Sequence, residues 1–437
     1  MPARVKKGPL TIFQRFFRTE ALGGLVLLVF GLAALAIANS PFSAVYNDFW
    51  EIPLTLGIAP HELSLGLHEW INDALMAVFF LLVGLEIKRE LLAGELSSRR
   101  QAALPIACAI GGMVVPALIY FIFNLRGPGA HGWGVPMATD IAFALGALNL
   151  IAPRAPIGAK VLLTALAIVD DMGAVLVISV FYSEAIVWNA LGGAAVTLLV
   201  LSGLNLIGIR RLWPYLLFGV VLWFFVHASG VQATIAGVAL AFTIPARSRI
   251  NALEFSREAR SLLDRFDRTE TGDLLVLTSK GQQETVFALE RATGSVTEPI
   301  LRLEHALHKF SAFVVMPLFA FANAGVKIDL SLHHAQIGFG ILTGLLFGKP
   351  LGIMMAALIA VTAGIAKLPQ GVNWGSLLGY GFLAGIGFTM SLFIAMLAFD
   401  DTTLVNAAKL GIIAGSLLAG VAGAVMLRAG RSLGDAN

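Results

Sequence analysis

The chain has 437 residues, 57% of them hydrophobic and 13% charged, with a formal net charge of +3. Soluble domains carry about 25% charged residues, so the composition excludes an ordinary soluble protein and points to an all-α polytopic membrane protein with one membrane domain. A single cysteine, Cys108, excludes an internal disulfide and, lying in an apolar run, reads as a small hydrophobe.

The start, residues 1–20, is basic and only partly apolar, shows no evident cleavable signal peptide, and reads as a cytoplasmic segment. About twelve apolar stretches of spanning length follow, each predicted to be a helix. They run roughly over 21–38, 70–93, 102–124, 134–151, 158–182, 187–208, 212–227, 230–245, 303–324, 337–363, 375–398 and 403–428. The predicted transmembrane domain is thus 21–428, with a short cytoplasmic tail at 429–437. Lysine and arginine set the orientation. Arg4, Lys6, Lys7, Arg15 and Arg18 precede the first stretch, and alternate connections carry Arg99 and Arg100, Arg154 and Lys160, Arg210 and Arg211, and Lys367. The intervening connections hold only Arg126 and Lys327, which predicts an even number of spans and both termini in the cytoplasm.

Two connections are long. In 39–69, Ile52, Leu54 and Leu56 alternate with Pro53 and Thr55, and Leu63, Leu65 and Leu67 alternate with Ser64 and Gly66, around Gly57-Ile58-Ala59-Pro60. The alternation predicts a small outer β-hairpin whose open edge can pair with a second subunit. Residues 246–302 form a charged cytoplasmic insertion with no spanning run; Leu253, Leu262, Leu263 and Phe266 among charged residues predict weak helix there.

Polar residues inside the apolar stretches carry the functional signal. At the cytoplasmic end of the second stretch, Glu86 and Glu90 share a helix face at i and i+4, where they can attract cations and respond to pH. The fourth stretch is interrupted at Pro136, followed by Thr139 and Asp140. In the fifth stretch, Asp170 and Asp171 sit side by side within Val161–Ile178. A carboxylate at that depth costs about 2.5–3.5 kcal/mol on insertion scales, so a cation, a proton or a buried lysine is expected to compensate the pair. Adjacent helical residues point about 100° apart, so the two aspartates face different neighbours. One can meet a lysine and the other a metal ion; geometry alone does not say which. The ninth stretch opens with Glu304, His305 and His308, and His305 is a candidate for titration near neutrality. In the tenth, Lys349 is read as the only lysine well inside an apolar span, with Asp140, Asp170 and Asp171 as available partners. The eleventh is interrupted by Gly379, Gly381, Gly385 and Gly387, with Thr389 and Ser391 beyond. Non-helical backbone at membrane depth must be buried in protein or line a wet cavity. The two interrupted stretches are the middle members of two triplets, roughly 102–182 and 337–428.

Taken together, Gly84–Glu90, Ala138–Ala144, Ala167–Asp171, Leu303-Glu304-His305, Pro317–Gly325, Gly348–Gly352 and Gly385–Ser391 resemble the NhaA family of sodium/proton antiporters. The resemblance implies twelve spans built as inverted repeats, with two discontinuous helices crossing near the centre. That family is among the transporters from which the broken-helix rule was drawn, so the interrupted stretches and the resemblance count as one argument. The resemblance further implies that Asp171 binds sodium and that Asp170 takes part in proton exchange and can pair with Lys349. It implies that Asp140 and Lys349 balance half-helix dipoles beside Thr139, and that Glu86 and Glu304 belong to a cytoplasmic pH response. Family members are bacterial inner-membrane proteins, often homodimers joined through the outer hairpin, that move sodium, lithium and protons without a cofactor. Two features depart from the family: Gln232 stands where a histidine is common, and 246–302 is longer than the usual connection.

The expected function is therefore sodium (or lithium)/proton antiport by alternating access, with no enzymatic activity and no nucleic-acid partner. No Walker-type phosphate loop is present in the sequence. Two other functions place aspartates in apolar helices. An intramembrane aspartyl protease requires two carboxylates sharing a proton across one peptide, and a sodium-coupled solute carrier requires an organic solute.

Overall fold

In the computed structural model the residues described are 12–58, 61–183, 186–246, 252–268, 280–296, 298–328 and 334–434. Residues 1–11 of the expected N-terminal segment, 59–60 of the hairpin turn, parts of the 246–302 insertion and the last three residues of the tail lie outside them. Each of the twelve apolar stretches contains helix. Helix α1 (Ile12–Ala38) turns by 113° into the short α2 (Ser43–Glu51). Strands β1 (Pro53–Ile58) and β2 (His61–Gly66) form the expected antiparallel hairpin, with Leu54 opposite Leu65 and Leu56 opposite Leu63. Then come α3 (Leu67–Ala93) and α4 (Arg99–Asn124). The broken span that follows consists of α5 (Pro128–Met137, a 3-10 helix) and α6 (Ile141–Ile151), bent by 46°. Helices α7 (Ile157–Phe181), α8 (Trp188–Leu206) and α9 (Leu212–Ala228) lead to α10 (Ile235–Thr243).

Helix α10 departs from expectation. The apolar stretch 230–245 predicts a full span, yet only nine residues are helical, about 14 Å at 1.5 Å per residue against a hydrocarbon core of about 30 Å. Residues 229–234 are turn instead, with Gly230 at φ 78°. The lost length is covered by protein: α10 packs along α3, where Gly84 and Gly237 leave no room for a side chain between the two backbones. Lys88 of α3 caps its end, donating to the carbonyls of Phe242 (2.7 Å) and Ile244 (2.5 Å).

The insertion forms two helices, α11 (Ala252–Arg268) and α12 (Lys280–Val296), which pack on each other. The second half of the chain contains α13 (Pro299–Asn323), α14 (Ala335–Thr362), the broken pair α15 (Trp374–Ala384) and α16 (Phe388–Ala398) bent by 48°, and α17 (Thr402–Gly434). Helices α13 and α14 each contain a wide π turn, Ser311–Val315 and Gly344–Gly348, ending two residues before Pro317 and Pro350. Proline lacks the N–H for the regular ladder and clashes with the carbonyl four residues back; the wider turn accommodates both faults without ending the helix.

The two broken pairs are the middle members of two triplets, α4–α7 and α14–α17, which are the expected inverted repeats. Their first members pack closely against each other along their length. A Cβ on Gly111 of α4 would strike the carbonyl oxygen of Gly352 in α14, and a Cβ on Gly352 would strike that of Gly111. This reciprocal approach brings the two broken spans to a common centre. Gly352→Val should overpack the seam and lower stability by about 1–3 kcal/mol, read as a reduced midpoint in thermal unfolding of the detergent-solubilised protein; an unchanged midpoint would refute the close approach.

Candidate functional site

Each helix end leaves backbone groups without intrahelical partners. The two breaks, Ala138–Asp140 and Gly385–Gly387, put four such ends together at depth. They satisfy one another directly: the Asp140 amide donates to the Ile386 carbonyl (2.7 Å) and the Ser391 hydroxyl to the Val135 carbonyl (2.8 Å). A Cβ on Gly387 would clash with Ser391 Oγ and the Ala138 carbonyl, which accounts for glycine there.

Charged side chains serve the remaining ends. Asp140 is the N-cap of α6, where its Oδ1 accepts from the Phe143 amide at 3.0 Å. Its Oδ2 accepts from the Thr389 amide (3.2 Å) and from the Thr389 hydroxyl, at the first turn of α16. One carboxylate thus caps two helix N-termini, where partial positive charge favours an anion. At the opposite pole, Lys349 Nζ donates to the carbonyl of Met137, the last residue of α5. The Ala384 carbonyl, ending α15, accepts from Thr139 Oγ1 at 2.9 Å.

Lys349 also meets Asp170 of α7: Nζ lies 2.5 Å from Oδ2, and both side chains are fully buried. Of the three acids available to this lysine from the sequence, the structure selects Asp170. Thr139 Oγ1 sits 2.6 Å from the same Oδ2. A hydroxyl has one hydrogen to give, and here two acceptors face it. If Asp170 carries a proton, it donates to Thr139 and Thr139 donates to Ala384; if it is ionised, the two acceptors compete for one hydrogen. The protonation state of Asp170 is thereby tied to the end of α15.

Asp171 is 3% exposed and points elsewhere, as the 100° offset requires. The Oδ1 atoms of both Asp170 and Asp171 are buried without a hydrogen-bond partner among the described residues. No group of three or more His, Cys, Asp or Glu side chains suited to a metal ion occurs among those residues. A cation here would rely on the two carboxylates with the Thr139 oxygen and water, hard oxygen donors suited to a hard cation.

The acidic positions on the arginine-rich face form a separate cluster. Arg89 pairs with Glu304 and with Glu90 (3.0 Å), and Glu90 also accepts from the Glu95 amide at 3.0 Å. Glu90 is thus held in an arginine pair and a turn rather than presented, with Glu86, as a cation-attracting face. Glu86 instead lies 3.9 Å from His308. His305 is exposed, and the histidine facing the cluster is His308. Glu304 and His308, at i and i+4, share the inward face; that spacing is visible in the sequence, whereas the neighbour it meets is not. Gln232 lies in the turn before α10, half-buried. Lys349 is also not the sole buried lysine, since Lys409 of α17 is 7% exposed. The part of Thr389 in capping α6 and α16 together through Asp140 was not legible, because it depends on the crossing.

Comparison with known proteins agrees over nearly the whole chain. A family model described as Na+/H+ antiporter 1 matches residues 14–427. The chain is similar to Na(+)/H(+) antiporter NhaA of Oleidesulfovibrio alaskensis, 50% identical over 424 residues covering 96% of this chain and 94% of that protein. It is also similar to Na(+)/H(+) antiporter NhaA 2 of Helicobacter hepaticus, 45% identical over 416 residues (94% of each). For the NhaA of Helicobacter pylori strain 26695 the identity is 45% over 418 residues (95% and 94%).

Removing one partner of a buried ion pair leaves the other charge uncompensated, at a cost of about 3–5 kcal/mol. Lys349→Met should therefore destabilise the protein by about that amount, and adding Asp170→Asn should recover most of it. Thermal unfolding of the two variants checks this; additive losses would mean that the pair is not coupled.

Proposed function

Because the chain belongs to the Na+/H+ antiporter 1 family, we propose that it is a secondary active antiporter, not an enzyme, that exports sodium in exchange for protons at Asp170 and Asp171. The observation that carries this reading is the contrast among the buried acids: Asp140 is held by two helix ends and Asp170, through Oδ2, by Lys349 and Thr139, while Asp171 has no such ion pair or hydroxyl donor among the described residues, the Oδ1 atoms of both Asp170 and Asp171 being without a partner there. In this reading Asp171 holds sodium and Asp170 takes part in proton exchange, its ionised form shared with Lys349 and Thr139. Protonation of the carboxylates removes the charge that holds the cation, so sodium and protons exclude one another at one site. Alternating exposure of that site to the two membrane faces converts the exclusion into exchange. Asp140, Thr139 and Lys349 keep the crossing charge-balanced, and Glu86, Glu90 and Glu304 with Arg89 and His308 are the groups assigned to pH response. Lithium, a smaller hard cation, is a second substrate of the same oxygen donors.

The arginine-rich face, with Arg99, Arg100, Arg154, Lys160, Arg210 and Arg211, supports an inner-membrane orientation with both termini cytoplasmic. The hairpin on the other face has an outer edge on each strand unpaired among the described residues. An edge of this kind pairs readily with another strand, which supports a homodimer joined through 39–69. The protease reading loses its dyad: Asp140, the only one of these acids on a different helix, has both oxygens engaged by helix amides and Thr389.

Asp171→Asn should fold yet abolish sodium-dependent proton movement in proteoliposomes. Wild-type protein in detergent should release protons on sodium addition, less so as the pH falls and protons occupy the site. Retained exchange with unaltered sodium affinity in the variant, or flux that requires an organic solute, would overturn the assignment. Deleting 53–66 should leave exchange intact and shift the solubilised protein from dimer to monomer in light scattering; a dimer that persists would remove the hairpin from the interface.

A further inference from the structure

On the arginine-rich face, outside the ion site and touching the Arg89 cluster only through Glu95, a cavity of about 560 Å³ opens between the starts of α4 and α7 and the loop after α14. Its mouth carries Arg100 and Lys367 with a single acid, Glu95. Its depth is apolar, walled by Leu104 and Pro105 of α4 and by Val161, Leu162 and Ala165 of α7. Two helix N-termini flank the mouth, and both lack a side-chain cap: the N-cap residue of α4 is Ser98 and that of α7 is Pro156, neither making a cap hydrogen bond. Gly158, in the first turn of α7, lines the cavity itself.

We propose that this cavity is a binding site for an anionic phospholipid, with the phosphate at the mouth and part of an acyl chain in the apolar depth. Charge complementarity supports the headgroup. Two cations outnumber one carboxylate, and the two helix starts, neither with a side-chain cap, add partial positive charge. Basic pockets between transmembrane helices on this face suit lipid phosphates in general. The depth argues for a lipid rather than a free anion, because inorganic phosphate gains nothing from Leu104, Val161 and Ala165. The site would also serve the protein mechanically. Its walls are the first two to three turns of α4 and α7, and α7 carries Asp170 five residues beyond Ala165, so a seated chain would keep water out of the helix contact beside the buried ion pair. The inference depends on the membrane fold and not on which aspartate binds sodium.

The test uses full-length protein in phosphatidylcholine vesicles containing a trace of photoactivatable phosphatidylglycerol, with adducts mapped by mass spectrometry. The expected result is labelling within 100–105, 157–165 or 364–369 that unlabelled phosphatidylglycerol competes away and that neither phosphatidylcholine nor inorganic phosphate does. The double variant Arg100→Gln/Lys367→Gln should lose labelling by about tenfold or more, while Arg100→Lys/Lys367→Arg keeps it. Adducts confined to other surfaces, equal competition by phosphatidylcholine, or undiminished labelling of the Gln variant would each overturn the proposal. Competition by inorganic phosphate would overturn the lipid as occupant. The wild-type map decides the matter even if the Gln variant fails to fold, and normal sodium/proton exchange in the same vesicles keeps this outcome separate from that of the ion site.

Discussion

A polypeptide inside a bilayer has no water with which to satisfy a helix end, and this constraint organises the molecule. An unbroken helix avoids the problem. This chain breaks two helices at the same depth and so creates four ends that must find partners within protein. The solution is mutual. The break at Ala138–Asp140 supplies an amide and a carboxylate, the break at Gly385–Gly387 supplies carbonyls and two hydroxyl-bearing residues, and Lys349 covers the carbonyl end of α5. Asp140 balances two positive helix starts, and Lys349 balances a negative helix end and a carboxylate together. Neither charge is stable at that depth without the crossing, and the crossing would leave helix ends unsatisfied without the charges.

The two inverted repeats contribute unequally. The first brings Thr139, Asp140, Asp170 and Asp171; the second brings Lys349, Thr389, Ser391 and a glycine-rich break. A negative half and a positive or neutral half therefore meet at the centre, so closing the repeats upon one another is itself a charge-pairing event. The glycine contact between α4 and α14 sets how near the halves come. The π turn of Gly344–Gly348 sits directly before Lys349 and alters the helical phase at which that side chain leaves α14. Its ammonium then reaches both Met137 and Asp170.

Much of this was legible in the sequence, for a physical reason. Charges and helix breakers are expensive in an apolar run, so Asp140, Asp170, Asp171, Lys349 and the two interruptions stand out against a uniform background. The hairpin was legible because strand alternation has a period of two. What escaped depended on partners. Whether Glu90 faces a funnel or an arginine is decided by the turn at Gly94-Glu95, and which histidine meets Glu86 is decided by how α13 lies against α3. Helix α10 has the composition of a full span but only nine helical residues, because the chain turns through 229–234 before it, with Gly230 at φ 78°, and α3 packs along the helix that remains. Lys409 was hidden within a long apolar helix whose neighbours bury it.

The degree of commitment of each buried acid distinguishes scaffold from working group. A carboxylate held by backbone amides, as Asp140 is, can release them only by unwinding two helix starts. Asp170 is held by side chains, Lys349 and Thr139, which can exchange partners through small rotations. Asp170 and Asp171 both leave Oδ1 with no protein partner among the described residues, but Asp171 has no counterpart there of the lysine and hydroxyl that hold Asp170 Oδ2. Burial of such an atom is costly unless something else supplies the missing contact, and a proton or a small cation are the two agents that can arrive and leave without moving the backbone. The order Asp140, Asp170, Asp171 is thus an order of increasing freedom to exchange. A site that must bind and release on each cycle needs its cargo at the free end of that series and its scaffold at the other, with the lysine-paired aspartate linking the two.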